Sequence, residues 1–162
     1  MSTRPIAGNV WRIGDVAFPG SASPTTGRAV PGGFGSHAET VDAHGVGAAV
    51  VLNAYGSIRD PATGRWLTRE PSMTGHGTWG QNTALAAIAT DAPLTVAQCR
   101  IVADMATAAL ARTIDPAFTA YDGDVVFAVS TTREGTTSGD QVNALGRAAA
   151  QCLERAIVAL FP

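Results

Sequence analysis

Residues 83–132 read TALAAIATDAPLTVAQCRIVADMATAALARTIDPAFTAYDGDVVFAVSTT, and their pattern decides the fold. The apolar run 83–92 suits a buried strand. After Pro93 and Leu94, Thr95-Val96-Ala97-Gln98 forms a capping box. The Thr95 hydroxyl can accept from the Gln98 amide, and the Gln98 side chain can reach back. The helix it opens places Cys99, Val102, Met105, Ala106, Ala109 and Leu110 on one face. Arg112 falls near the C-terminal end, where a cation suits the helix dipole, and Pro116 stops the helix. Residues 124–132 predict another strand. Beyond a turn at 134–137, Ser138-Gly139-Asp140-Gln141 is a second capping box. Its helix puts Val142, Leu145, Ala149, Cys152, Ala156 and Leu160 on one side.

Working outward toward the N-terminus, VGAAVVLNA (46–54) suits a further buried strand, and DPATGRW (60–66) carries the Asp-Pro and Thr-Gly signals of a turn. Residues 67–82 are polar and Gly-rich and read as an exposed loop. Residues 1–36, including Pro31-Gly32-Gly33-Phe34-Gly35-Ser36, are dense in turn formers and read as loop too. The order of elements predicts an α/β chain whose helices cover one face of a sheet. The 162 residues suit one domain.

Composition narrows the function. Charged residues make up 15% of the chain, and the net charge is −2, which argues against nucleic acid as a partner. All 11 cations are arginines, so no step can use a lysine of this chain. No apolar run is long enough for a membrane span, and MSTRPIAGNVW lacks the apolar segment of a signal peptide. A soluble cytoplasmic protein is the expectation. Cys99 and Cys152 lack metal-like spacing and read as small core residues. His37, His44 and His76 have no ligand spacing with one another or with a cysteine, so no metal and no cofactor are expected. PGGFGS lacks the lysine and the spacing of a phosphate loop.

Three places could carry chemistry. At Asn82-Thr83 a polar loop runs straight into an apolar strand whose first residue bears a hydroxyl. A hydroxyl is a weak nucleophile without a base. Cutting the Asn82-Thr83 bond would give Thr83 its own α-amine, whose pKa near 8 makes it a workable base. From the residues alone Thr83 reads first as an ordinary strand former. Asp122 and Asp124, one residue apart at a strand start, point the same way if the strand begins there and repel unless a cation lies between them. They also suit a solvated turn. Asn53 ends an apolar strand, where its amide could donate to an oxyanion or cap the turn that follows.

The stretch from Asn82 through Ala-Thr-Asp-Ala (89–92) to Asp-Gly-Asp-Val-Val-Phe-Ala (122–128) resembles the small subunit of the L-aminopeptidase/D-esterase superfamily. Within it, the match is nearer the nylon-oligomer (6-aminohexanoate-oligomer) endo-hydrolases. PGGFGS and VVLNAYGSIRDPATG resemble the end of that family's large subunit, so the resemblance spans about residues 28–132. It implies an α/β/β/α sandwich, incomplete here, with residues 1–82 large-subunit-like and 83–162 small-subunit-like. It implies autocleavage at Asn82-Thr83, Thr83 as nucleophile, its amine as base, Asp122 and Asp124 positioning both, and Asn53 as oxyanion donor. The family's lysine has no counterpart, since the segment before PGGFGS offers only Arg28, which cannot shuttle a proton.

The activity implied is hydrolysis of linear amides, short peptides or ω-amino-acid oligomers, without cofactor or metal. Two other readings stand beside it. One is a non-catalytic or partner-dependent scaffold, because a shortened sheet exposes edges that pair with other chains. The other is an acyltransferase like the ornithine acetyltransferases. The partners expected are a small amide or peptide substrate and either further copies or a second chain supplying the absent half, with no nucleic acid and no membrane.

Overall fold

The structure, a computed structural model, describes residues 32–68 and 82–161. Four strands form one sheet in the order β1-β2-β4-β6. They are β1 (Gly33–Val41), β2 (His44–Asn53), β4 (Thr83–Thr90) and β6 (Val125–Ser130). A small second pairing joins β3 (Ser57–Ile58) to β5 (Ile114–Asp115). Two helices, α1 (Val96–Thr113) and α2 (Gly139–Val158), pack on each other and on one face of the sheet. The α/β expectation holds: the described residues make one helix layer and one sheet layer.

Both helices start where the capping boxes place them. Thr95 Oγ1 accepts from Gln98 N while Gln98 Oε1 accepts from Thr95 N, and Ser138 and Gln141 repeat the arrangement. Each box satisfies two N–H groups that a helix N-terminus otherwise leaves unpaired. Arg112, in the last turn of α1, pairs with Glu154 of α2. β4 and β6 run parallel, with α1 in the crossover, as a strand–helix–strand unit requires.

Three expectations need correction. Residues 33–36 are not loop: they begin β1, which pairs antiparallel with β2 from Gly33↔Leu52 to Val41↔His44. The cause is tertiary. A Cβ on Gly35 would lie 2.1 Å from the Ala156 carbonyl oxygen, so glycine there lets α2 lie directly against the strand. Residues 1–31, Arg28 among them, lie outside the described residues, as do 69–81 with His76, which hold most of the exposed loop expected over 67–82. Second, β2 and β4 are not buried on both faces. In β4, Ala84, Ala86, Ile88 and Thr90 are buried under the helices while Leu85, Ala87 and Ala89 are exposed, the alternation of a sheet covered on one side. Third, Asp122 and Asp124 precede β6 rather than open it.

The Asp60–Trp66 turn is as read: Asp60 Oδ1 accepts from Ala62 N and Oδ2 from the Thr63 hydroxyl. Of the cysteines, Cys152 is fully buried in the core, while Cys99 is only half-buried. Among the described residues no helix is long and apolar enough to cross a membrane.

Candidate active site

Antiparallel pairing of β2 and β4 sets Asn53 directly opposite Thr83. The pleat turns alternate residues to opposite faces. Because Ala84 faces the helices, Thr83 faces the open side, and so does its partner Asn53. Just upstream, Asn82 forms a parallel bridge with Asp122. Four of the five residues singled out from sequence as site residues therefore converge at one end of the sheet.

The Asn82-Thr83 peptide is held from several directions. The Asn82 carbonyl oxygen accepts from the Thr83 hydroxyl at 2.6 Å and from Gly123 N at 2.9 Å. One residue on, Ala84 N donates to Asp124 Oδ1 at 2.7 Å. Asn82 is only 2% exposed, and its side-chain oxygen is buried with no hydrogen-bond partner among the described residues. A strand-end peptide bond is thus largely withdrawn from water, with a hydroxyl lying on its carbonyl.

The two aspartates have different work. Asp122 Oδ1 accepts from Tyr55 N at 3.2 Å, and Oδ2 accepts from Thr119 N at 3.0 Å and the Thr119 hydroxyl at 2.6 Å. It ties the turn after β2 to the turn before β6, and the rings of Tyr55 and Tyr121 meet at a tilt of 41° with centroids 5.4 Å apart. Asp124 instead accepts from Ala84 N, one residue past Thr83, with a longer contact of 3.4 Å from Phe118 N to Oδ2. Burial raises the Asp124 carboxyl above its ordinary pKa; the bond from Ala84 opposes the shift, and the Asp122 charge adds to it. Gly123, Thr119 and Tyr55 were not picked out from sequence. The Thr119-x-x-Asp122 spacing was the one local signal available, whereas Gly123 N becomes a donor to Asn82 only through strand pairing.

One further cluster forms away from this site. His37, Glu39 and Cys152 bring one ligand atom each within 4.8 Å of one another, a proximity that sequence spacing did not foretell. Arg155 already occupies it, donating to Glu39 Oε2 at 2.9 Å and lying 3.2 Å from His37 Nε2. Burial pushes the Cys152 thiol up to about 12, so without a metal the sulfur stays protonated.

The model of peptidase family S58 matches residues 20–161. The chain belongs to peptidase family S58. An uncharacterized aminopeptidase of Mycobacterium leprae is 38% identical over 156 residues, covering 78% of this chain and 43% of that protein. One from Mycobacterium tuberculosis is 36% identical over 164 residues, covering 81% and 48%. A β-aminopeptidase of a Burkholderia species superposes with a TM-score of 0.53 at 26% identity, over 80% of this chain and 41% of its own. The L-aminopeptidase D-Ala-esterase/amidase of Ochrobactrum anthropi, whose structure is described as a variant of the Ntn-hydrolase fold, superposes at 0.51 with 19% identity and shows the fold alone. This S58 chain spans less than half the length of these relatives. The resemblance seen in the sequence is therefore a family relationship, and the open face of the sheet belongs to a fold that is longer in its relatives.

Proposed function

We propose that this chain is the processed part of an amide-bond hydrolase whose nucleophile is Thr83, freed as an N-terminal residue by cleavage of the Asn82-Thr83 bond. The observation that carries this reading is the 2.6 Å contact of the Thr83 hydroxyl with the Asn82 carbonyl oxygen at the start of β4. An alcohol on the carbonyl of its own peptide bond is arranged for an acyl shift from nitrogen to oxygen. Hydrolysis of the resulting ester releases the α-amine. That amine would arise near Asp124, a half-buried carboxyl whose proton the Asp122 charge also helps to hold, and it would supply a cation to this pair. In turnover the amine takes the Thr83 proton, the hydroxyl oxygen attacks the substrate carbonyl, and Asn53, opposite on β2, donates to the oxyanion. Membership of a peptidase family, with aminopeptidases among the relatives, supports amino-acid amides and short peptides as substrates, ω-amino-acid oligomers included.

The test is the intact mass of the purified chain under denaturing conditions, followed by release of p-nitroaniline from amino-acid p-nitroanilides. Two fragments split between Asn82 and Thr83, with hydrolysis abolished in Thr83→Ala, support the reading. A single uncut and inactive species refutes it for this chain alone. A second reading, in which another polypeptide or a second copy must cover the sheet first, is favoured by Leu85, Phe127 and Val129, exposed together on the side away from the helices. Sedimentation across a concentration series tests it, and a strictly monomeric, active chain would exclude it.

A further inference from the structure

We infer that the backbone N–H of Gly123 is the oxyanion donor for self-cleavage at Asn82-Thr83, an inference that rests on the processing reaction proposed above. Among the described residues, the Asn82 carbonyl oxygen receives two donors, the Thr83 hydroxyl and Gly123 N. The hydroxyl is the attacking group and gives up its proton during the reaction. Gly123 N–H, at 2.9 Å, is left to receive the negative charge.

The step balances without an outside base. Thr83 Oγ1 bonds to the Asn82 carbonyl carbon, and the carbonyl π pair moves onto the oxygen held by Gly123. When that pair returns, the bond from carbon to Thr83 N breaks. The net movement of one proton, from the hydroxyl to the departing nitrogen, gives the amine and an Asn82 ester on Thr83. Water then cleaves the ester to the Asn82 carboxylate and the free hydroxyl.

Two observations mark Gly123 as built for this. A Cβ at this position would lie 3.0 Å from Thr83 Oγ1 and 3.9 Å from the Asn82 oxygen. Glycine thus leaves the nucleophile room against the carbonyl. Both neighbours of Gly123 are also anchored: Asp122 on Tyr55 and Thr119, and Asp124 on Ala84. The carboxylates flanking the glycine hold its N–H in place before the charge develops, which is where preorganised donors gain their effect. Asp122 and Asp124 act here as positioning residues.

The test replaces the 122–123 peptide bond by an ester, with glycolate at position 123 of the full chain, and follows cleavage by intact mass. The control is the same ester at Thr131, whose N–H donates to Thr90 O at 2.9 Å at the far end of the same strand pair. Loss of one oxyanion donor slows reaction by roughly 100- to 1,000-fold. That loss is expected for the Gly123 ester, with near-normal cleavage of the Thr131 ester. Ordinary mutagenesis repeats the comparison: Gly123→Pro, which lacks the N–H, should cleave slower than Gly123→Ala, which keeps it, by a similar factor. Equal rates within either pair overturn the inference. An unmodified chain that does not cut at Asn82-Thr83 overturns the processing reaction itself, and the Gly123 role falls with it.

Discussion

Gly123→Ala is a sharp probe of the junction because its consequence can be worked from distances. The added Cβ meets Thr83 Oγ1 at 3.0 Å, where the neighbour must give by a few tenths of an ångström, while Thr83 Cγ2 at 4.0 Å is in easy contact. The hydroxyl, on a single rotatable bond, is the softest part and moves away from the Asn82 carbonyl. A misplacement of 1 Å costs about 100-fold in a well-oriented reaction, so a few tenths predicts cleavage slowed roughly 4- to 10-fold. The fold should tolerate the change, since removing a glycine lowers the entropy of the unfolded chain by about 0.4–1 kcal/mol equivalent, partly offsetting the crowding. The assay is a time course of intact mass after rapid purification, with a thermal melt beside it. Adding Thr83→Ser, which removes Cγ2, should recover part of the rate by letting the oxygen settle back. Cleavage of Gly123→Ala at the normal rate, or a slowdown that tracks loss of the fold, would refute the reasoning.

Asp124→Asn should stabilise the uncut chain near neutrality, compared in a Thr83→Ala background so that no amine is released. Asp124 holds its proton more tightly folded than unfolded, so stability falls as pH rises from the ordinary 3.8 toward its raised value. Asparagine keeps an acceptor for Ala84 N without that loss, so the gain in melting temperature should be present at pH 7 and close below pH 3.8; a gap independent of pH would count against it. Gly35→Ala should destabilise by about 1–3 kcal/mol through overpacking against Ala156, or about 2–4 °C per kcal/mol. Gly45→Ala, whose Cβ would meet only Asp91 Oδ2 at 3.9 Å, should be neutral or slightly stabilising, and equal melting temperatures for the two would show that α2 does not bear on β1 as described.

What could be read from the sequence was what local chemistry decides. The boxes at Thr95 and Ser138 announce themselves within four residues, and both helices begin there. β1 was hidden because Gly33, Phe34 and Gly35 look like a turn in isolation. Only the ladder to β2 and the approach of α2 make them a strand. The one-sided burial of β4 was hidden too, since Leu85, Ala87 and Ala89 are as apolar as their buried neighbours. At the site, Asn82 and Thr83 stand out as a polar loop meeting an apolar strand. The amide of Gly123 carries no mark in the sequence, because its role depends on which carbonyl strand pairing sets against it. The same is true of the His37, Glu39 and Cys152 cluster, assembled from β1 and α2.

The Asn53↔Thr83 pairing has a consequence for which length changes this chain can survive. Side chains along a strand alternate with parity, so a shift of β4 by one position would carry the Thr83 hydroxyl under the helices and bring Ala84 out in its place. A shift by two would restore the side but leave the hydroxyl out of line with Gly123 and Asp124. Residues gained or lost between positions 53 and 83 leave this parity intact, because the ladder resets it. A single insertion inside β2 or β4 does not. Variation in length is thus tolerable in the connection and silencing in the strands, and the register of an ordinary hairpin-like ladder becomes a condition on whether the nucleophile is presented at all.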